Sequence, residues 1–263
     1  MSFLGKLIYG VFSSKDQIEA YQIRIRDTEW NDIKAHIPEK SKFLDVGCGA
    51  GYSMFRAKKD LQCDCLGIDP NPKEHGVGRF TKEDYLSDKI IQGFSEALPF
   101  EDETFDVVYS SHVLEHVIDK KETLREMNRV LKRDGVLILG MPTASMAWIN
   151  LFSSLFFTTH VKIYEFLRGL FKRGSGERLK AIFTVRSHSY PNKKYVFSDL
   201  MDYRISTWRK QVKSAFTINT ELTPAFYPFP DFIQFFPIHK NKLFSSSIFF
   251  ICSKKESTDN TTP

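Results

Sequence analysis

Cysteine is scarce in this chain: four in 263 residues, Cys48, Cys63, Cys65 and Cys252. No two of them form a CxxC pair, and no histidine cluster stands at ligand spacing, so no metal centre is expected. Cys63 and Cys65 are two apart in a strand-like run, which puts both thiols on one face, buried and reduced. Long apolar runs are also missing. The opening MSFLGKLIYGVF is too short and too interrupted for a membrane span, and no cleavage-site pattern follows it. The expected location is therefore the cytoplasm. There is no internal repeat, which argues against a solenoid or propeller. A large excess of one charge is absent too, since the net is +5.

Hydrophobic residues make up 42% of the chain, enough for a buried core in one large α/β domain. The 24 phenylalanines lie mostly in the second half. Charge is uneven as well. Residues 145–263 hold 17 Lys/Arg against 8 Asp/Glu, about +9, leaving about −4 on residues 1–144. A basic, aromatic-rich half suits an anionic partner or membrane surface. Scattered as these cations are, they equally suit an ordinary solvated surface.

Residues 1–40 read as a helical lead-in, with Ile18, Tyr21, Ile25 and Ile33 at helical spacing before Pro38. Strand-like runs then alternate with helices. Lys42–Gly47, Cys63–Ile68, Lys89–Gln92, Phe105–Tyr109 and Gly135–Met141 are the strands; Tyr52–Lys59 and Lys120–Lys132 are the helices, the second ended by Asp134-Gly135. Such alternation implies βαβ units, a mostly parallel sheet, and a ligand site at the strands' C-terminal edge where strand order reverses. A helix is expected over Phe197–Phe216 and a last strand over Ser246–Ile251.

One segment decides the chemistry. Asp45-Val46-Gly47-Cys48-Gly49-Ala50-Gly51 follows the first strand directly. Glycines there let the backbone turn tightly and approach a ligand. The spacing is GxGxG. A dinucleotide fold needs a glycine one residue later, where Tyr52 stands, so a nicotinamide oxidoreductase is disfavoured. Asp45 is poorly placed for a pyrophosphate but suits an ammonium. Asp69 ends the second strand on the same edge, where a carboxylate can accept both ribose hydroxyls; the other reading is a turn-forming Asp before Pro70.

With GIDPNP (67–72), SEALPFEDETFDVVYSSHVLEHV (95–117) and LREMNRVLKRDGVLIL (124–139), this motif resembles the class I S-adenosylmethionine-dependent methyltransferases of the UbiE/type 11-like branch, over about residues 40–145. The resemblance implies a doubly wound, mostly parallel, seven-stranded α/β sheet (a Rossmann-like methyltransferase fold) with a helical cap inserted after the fifth strand. It implies a cofactor-binding core at 41–145, a cap or substrate region at 146–215, C-terminal strands completing the sheet at 216–253 and a disordered tail at 254–263. It implies S-adenosylmethionine as cofactor. Asp45, Gly47, Cys48, Gly49 and Gly51 would face its methionine and ribose parts. Asp69 would hold the ribose, with Pro70 beside the adenine and Phe94 and Ser95 along it. Phe94 departs from the family, which has an acidic residue there. Ser110 and Ser111 would line the methyl-transfer edge.

A hydroxyl acceptor needs a base, and histidine suits neutral pH. His112 is the first candidate by location; His116 serves either as base or as packing, and His188 and Tyr190 also come into view. Residues 145–173 hold Trp148, Leu151, Phe152, Leu155 and Phe156 at helical spacing, followed by Lys162, Arg168, Lys172 and Arg173. The segment reads as a lid touching the inner membrane surface, for an amphiphilic acceptor, or as an ordinary packed helix. The expected partner is a small-molecule, lipid-linked or glycan-linked acceptor. A nucleic acid is disfavoured, because SSHV stands where an Asn/Asp-Pro-Pro-Tyr motif would flank a flipped base. The competing reading is a catalytically silent scaffold of the same fold. The sequence leaves the oligomeric state open.

Overall fold

Ser14 caps the first helix, α1 (Lys15–Ile33). Its hydroxyl accepts the Gln17 N–H, and the Gln17 side chain accepts the Ser14 N–H. Two otherwise orphaned donors are thereby satisfied. The inward stripe is Ile18, Tyr21, Ile25, Trp30 and Ile33, as the helical spacing predicts. The computed structural model describes residues 14–78, 85–153, 196–227, 238 and 244–255.

After α1 come β1 (Lys42–Val46), α2 (Tyr52–Leu61), β2 (Asp64–Asp69), β3 (Ile90–Gln92), β4 (Phe105–Ser111), α3 (Lys120–Val130) and β5 (Leu131–Pro142). Then follow α4 (Ala144–Ser153), α5 (Val196–Asp202), α6 (Ile205–Val212), β6 (Phe216–Leu222) and β7 (Ser247–Lys254). The seven strands form one sheet in the order β3-β2-β1-β4-β5-β7-β6. Only β7 runs against its neighbours. This is the doubly wound, mostly parallel architecture the alternation implied. Strand order reverses between β1 and β4, so their C-terminal ends open a crevice there.

One face of the sheet packs Trp30, Ile33, Met54 and Ala57 of α1 and α2 against Phe43, Tyr109 and Phe249. The other packs Leu124 and Met127 of α3 and Trp208 of α6 against Leu44, Val108 and Phe250. Central strands covered on both faces explain the near-continuous apolar runs in β4 and β5. The edge strand β6 instead buries only Phe216 and then alternates exposed and half-buried positions. Cys63 and Cys65 are buried free thiols, as expected.

Several boundaries differ from the sequence reading. α3 ends at Val130 and β5 begins at Leu131, not Gly135. Leu131 pairs with Phe105 before a register shift carries the pairing to Val107 and Val136. Gly135 therefore terminates no helix; its missing Cβ leaves room for the fully buried Leu131 side chain, which would approach within 2.6 Å. The single helix expected over Phe197–Phe216 is two helices, and Phe216 already belongs to β6. Trp208 fixes that break: it is fully buried, and its Nε1 donates to the Pro142 carbonyl at 2.9 Å. The last strand is longer than expected, reaching Lys254. α4 carries the first part of the expected amphipathic segment. Leu155, Phe156, His188, Tyr190 and the basic run from Lys162 to Arg173 lie outside the described residues.

Candidate functional site

β1 ends at Val46, and the chain turns under the tip of β2. The Gly47 and Cys48 N–H groups both donate to the Ile68 carbonyl, at 2.7 and 3.2 Å. Gly47 has φ +77°, and a Cβ there would lie 2.2 Å from a Val113 methyl. Gly49 has φ +56°, and a Cβ would meet the His75 carbonyl oxygen at 2.7 Å. Both the backbone conformation and the space demand glycine at these positions. Gly51, also left-handed, leads into α2.

Asp69 stands behind this turn, 6% exposed. Its Oδ2 accepts the Gly49 N–H and its Oδ1 the Asn71 N–H, each at 2.8 Å. Each carboxylate oxygen keeps a further lone pair for a ligand hydroxyl. Asp45 is 2% exposed at the end of β1. Burial and then the Asp69 charge push its carboxyl well above the usual range, with Arg26 pulling the other way. A buried carboxyl in that state is stabilised by any donor or cation brought to it.

Three of the residues expected at the site have side chains engaged with the fold. The Cys48 sulfur faces Gly67 and Met54, within 2.6 Å of where a Gly67 Cβ would stand, and burial pushes its thiol far up. Ser110 Oγ donates to the Val46 carbonyl at 2.9 Å, pinning β4 to β1. Ser95 Oγ lies 3.1 Å from both Thr123 Oγ1 and Glu96 Oε2, tying the loop after β3 to α3. Their side chains hold the walls of the crevice in place. Pro70 accepts from Gln92 Nε2 through its carbonyl at 3.0 Å. Phe94 is 67% exposed one residue after Gly93, whose N–H donates to the Asp69 carbonyl.

Beyond β4 lies a buried polar cluster. Ser111 accepts from Arg26 Nη1 at 3.4 Å, and the same nitrogen donates to Glu29 Oε2 at 2.6 Å. Glu29 Oε1 accepts from Tyr227 at 2.9 Å and Ser247 at 2.6 Å. His112, at φ +58°, places Nδ1 3.4 Å from Glu115 Oε1 and Nε2 3.9 Å from Glu29 Oε1. Nε2 and Glu115 Oε2 are enclosed without a hydrogen bond. Burial and Arg26 press the His112 pKa down; the neighbouring carboxylates of Glu115 and Glu29 outweigh them and raise it. His116 is the open histidine, its side chain 42% exposed and its Nε2 3.9 Å from Glu115 Oε1.

The sequence reading missed Arg26, Glu29, Glu115 and Tyr227. A signal for Glu29 was present: it stands four residues from both Ile25 and Ile33, a charge in the middle of an apolar stripe. Nothing local marked Tyr227, which is 198 residues from its partner Glu29.

Residues 44–139 match the family model described as a methyltransferase domain. The uncharacterized methyltransferase YcgJ of Bacillus subtilis is 33% identical over 100 residues, 37% of this chain and 39% of that protein. Ajmaline N-methyltransferase of Rauvolfia serpentina is 34% identical over 107 residues, 39% of this chain and 37% of that protein. The chain thus spans under two-fifths of these two relatives. A SAM-dependent methyltransferase of Thermotoga maritima superimposes with a TM-score of 0.51 at 18% identity, covering 87% of this chain and 88% of that one. At that identity the likeness is one of fold.

Proposed function

We propose, from the premise that residues 44–139 form a methyltransferase domain of the class I, type 11 family, that this chain is an S-adenosylmethionine-dependent methyltransferase for a small-molecule, lipid-linked or glycan-linked acceptor. The observation that carries the proposal is the glycine turn at the sheet's reversal point with Asp45 and Asp69 buried on either side of it. These residues fit the cofactor. Asp69 retains acceptor capacity for the ribose hydroxyls, Asp45 calls for the ammonium, and the left-handed glycines keep side chains out of the approach. Phe94, open beside Asp69, offers a ring face to the adenine where an acid would offer a hydrogen bond.

When bound, S-adenosylmethionine supplies a methyl group already activated on a sulfonium. The protein's work is to orient the acceptor and exclude water. Where the acceptor carries a proton that must leave, exposure favours His116 over His112 as the base, since His112 Nε2 is enclosed. The buried Glu115 carboxylate lies 3.4 Å from the His112 ring and 3.9 Å from the His116 ring. The test is calorimetric titration of the wild type with S-adenosylmethionine and S-adenosylhomocysteine. Dissociation constants of about micromolar order are expected. Absence of binding to both would return the chain to a scaffold role.

An amphiphilic acceptor is favoured by one feature. On α4, Trp148 and Phe152 stack at 5.8 Å and 23° yet stay 47% and 58% exposed. Among the described residues no helix is long and apolar enough to cross a membrane. An exposed aromatic pair in a basic half instead suits a headgroup layer. The wild type is expected to sediment with anionic vesicles at low salt, and the Trp148→Ala, Phe152→Ala double variant to stay in the supernatant. Wild type left in the supernatant would exclude the membrane contact.

A further inference from the structure

His112 stands just past β4 in a left-handed turn, φ +58°, with its N–H donating to the Gly140 carbonyl at 2.8 Å. Its ring lies between two buried carboxylates that come from distant parts of the chain. Glu115 Oε1 is 3.4 Å from Nδ1, and Glu29 Oε1 on α1 is 3.9 Å from Nε2. A neutral imidazole has one N–H and one lone pair, so it would turn that lone pair on one of the two acids. Only the imidazolium offers an N–H to both. Charge balance gives the same answer. The groups around the pair are Arg26 and Glu29 on α1, Glu115 and the exposed His116 after β4, Tyr109 on β4, and Tyr227 past β6. Burial pushes both phenols well up, which keeps them protonated, and Asp45, which feels the Arg26 charge, is pushed up as well. Two buried carboxylates therefore face one guanidinium, and a charged His112 makes the set neutral.

We propose that His112 is a positioning residue: as an imidazolium it clasps Glu29 of α1 to Glu115 of the turn after β4, and so holds α1 against the ligand edge of the sheet. α1 lies outside the 44–139 family match. From the same helix, Arg26 Nη1 reaches Ser111 at the end of β4, at 3.4 Å. Glu29 also accepts from Tyr227 and Ser247, so one buried acid ties α1 to three separate stretches of chain. With both ring nitrogens of His112 turned to acids, proton removal from an acceptor is left to His116. The clasp has a pH signature. A pKa raised in the folded chain adds stability that is complete below 6.5 and lost as pH rises through the folded value. α1 therefore loosens on the alkaline side of that value, while α3, which carries no part of the clasp, does not. The clasp stands apart from the cofactor reading, and failure of that reading would leave it untouched.

Two readouts on the intact chain test this. NMR titration of the His112 ring is expected to give a pKa above 6.5, and a lower one in Glu115→Gln. Amide exchange of α1, taken relative to α3 at each pH, is expected to speed up about tenfold as pH rises through that pKa. His112→Asn removes the charge with a residue that tolerates the left-handed turn. In that variant α1 is expected to exchange at the fast rate at every pH. Wild type and Glu115→Gln carry the test if His112→Asn fails to fold. A His112 pKa at or below 6.5, or α1 protection indifferent to both pH and the substitution, would overturn the clasp. Wild type that shows both signatures yet binds no S-adenosylhomocysteine would support the clasp and sink the cofactor reading, so the two failures are distinct.

Discussion

Asp69→Ala is expected to lower S-adenosylmethionine affinity by at least about a hundredfold, as read by calorimetry. Two losses combine. The ribose hydroxyls lose their acceptor, and the Gly49 and Asn71 N–H groups lose the oxygens that fix them at 2.8 Å. The second loss reshapes the turn, because Gly49 is held in a left-handed conformation from outside its own strand. Asp69→Asn is expected to fare little better. One carboxylate oxygen becomes an NH2 group, which must then face a backbone N–H. Unchanged affinity in a variant that melts like wild type would falsify the ribose assignment, and with it the strongest support for the cofactor.

The second large effect concerns stability. Glu29→Gln removes the buried anion that Arg26, Tyr227 and Ser247 all reach, leaving the partly buried guanidinium uncompensated. Breaking one partner out of such a pair costs about 3–5 kcal/mol. For a chain of this size that lowers the melting temperature by roughly 10 °C. The cost has a pH signature. Burial alone would raise the Glu29 carboxyl, but Arg26, then His112 and Ser247, outweigh it and bring it down to about 2 from 4.5. A carboxyl depressed in the folded state stabilises fully above its unfolded value, and the contribution fades as pH falls through the folded one. The stability gap between wild type and Glu29→Gln should therefore be full at neutral pH and narrow between about pH 4.5 and 2. A gap independent of pH would mean that Glu29 acts by packing alone.

The cluster around Glu29 also explains why part of the site escaped the sequence. Glycines at 47, 49 and 51 with acids at 45 and 69 are close in the chain, and each is needed for a backbone reason or for a charge at a strand end. Such requirements are local, so they can be read from spacing. Arg26, Ser111, His112, Tyr227 and Ser247 come from α1, β4, the turn after it, the stretch past β6 and β7. Only the order β1-β4-β5-β7 brings them to one place.

Orientation divides the residues in the same way. That Cys48, Ser95 and Ser110 lie near the crevice follows from their positions after β1, after β3 and on β4. That their side chains meet Gly67, Thr123 and Val46 follows from strand pairing and from helix packing. The break between α5 and α6 has the same origin, since it is set by where Trp208 finds the Pro142 carbonyl. The sequence by itself determined the alternating α/β order, the glycine turn and the two acids, because these obey short-range rules of periodicity and backbone freedom. Tertiary structure alone decided which polar side chains meet and which way each turns. Burying a charge is tolerable only where a partner is delivered, and those partners arrive from segments up to 218 residues away.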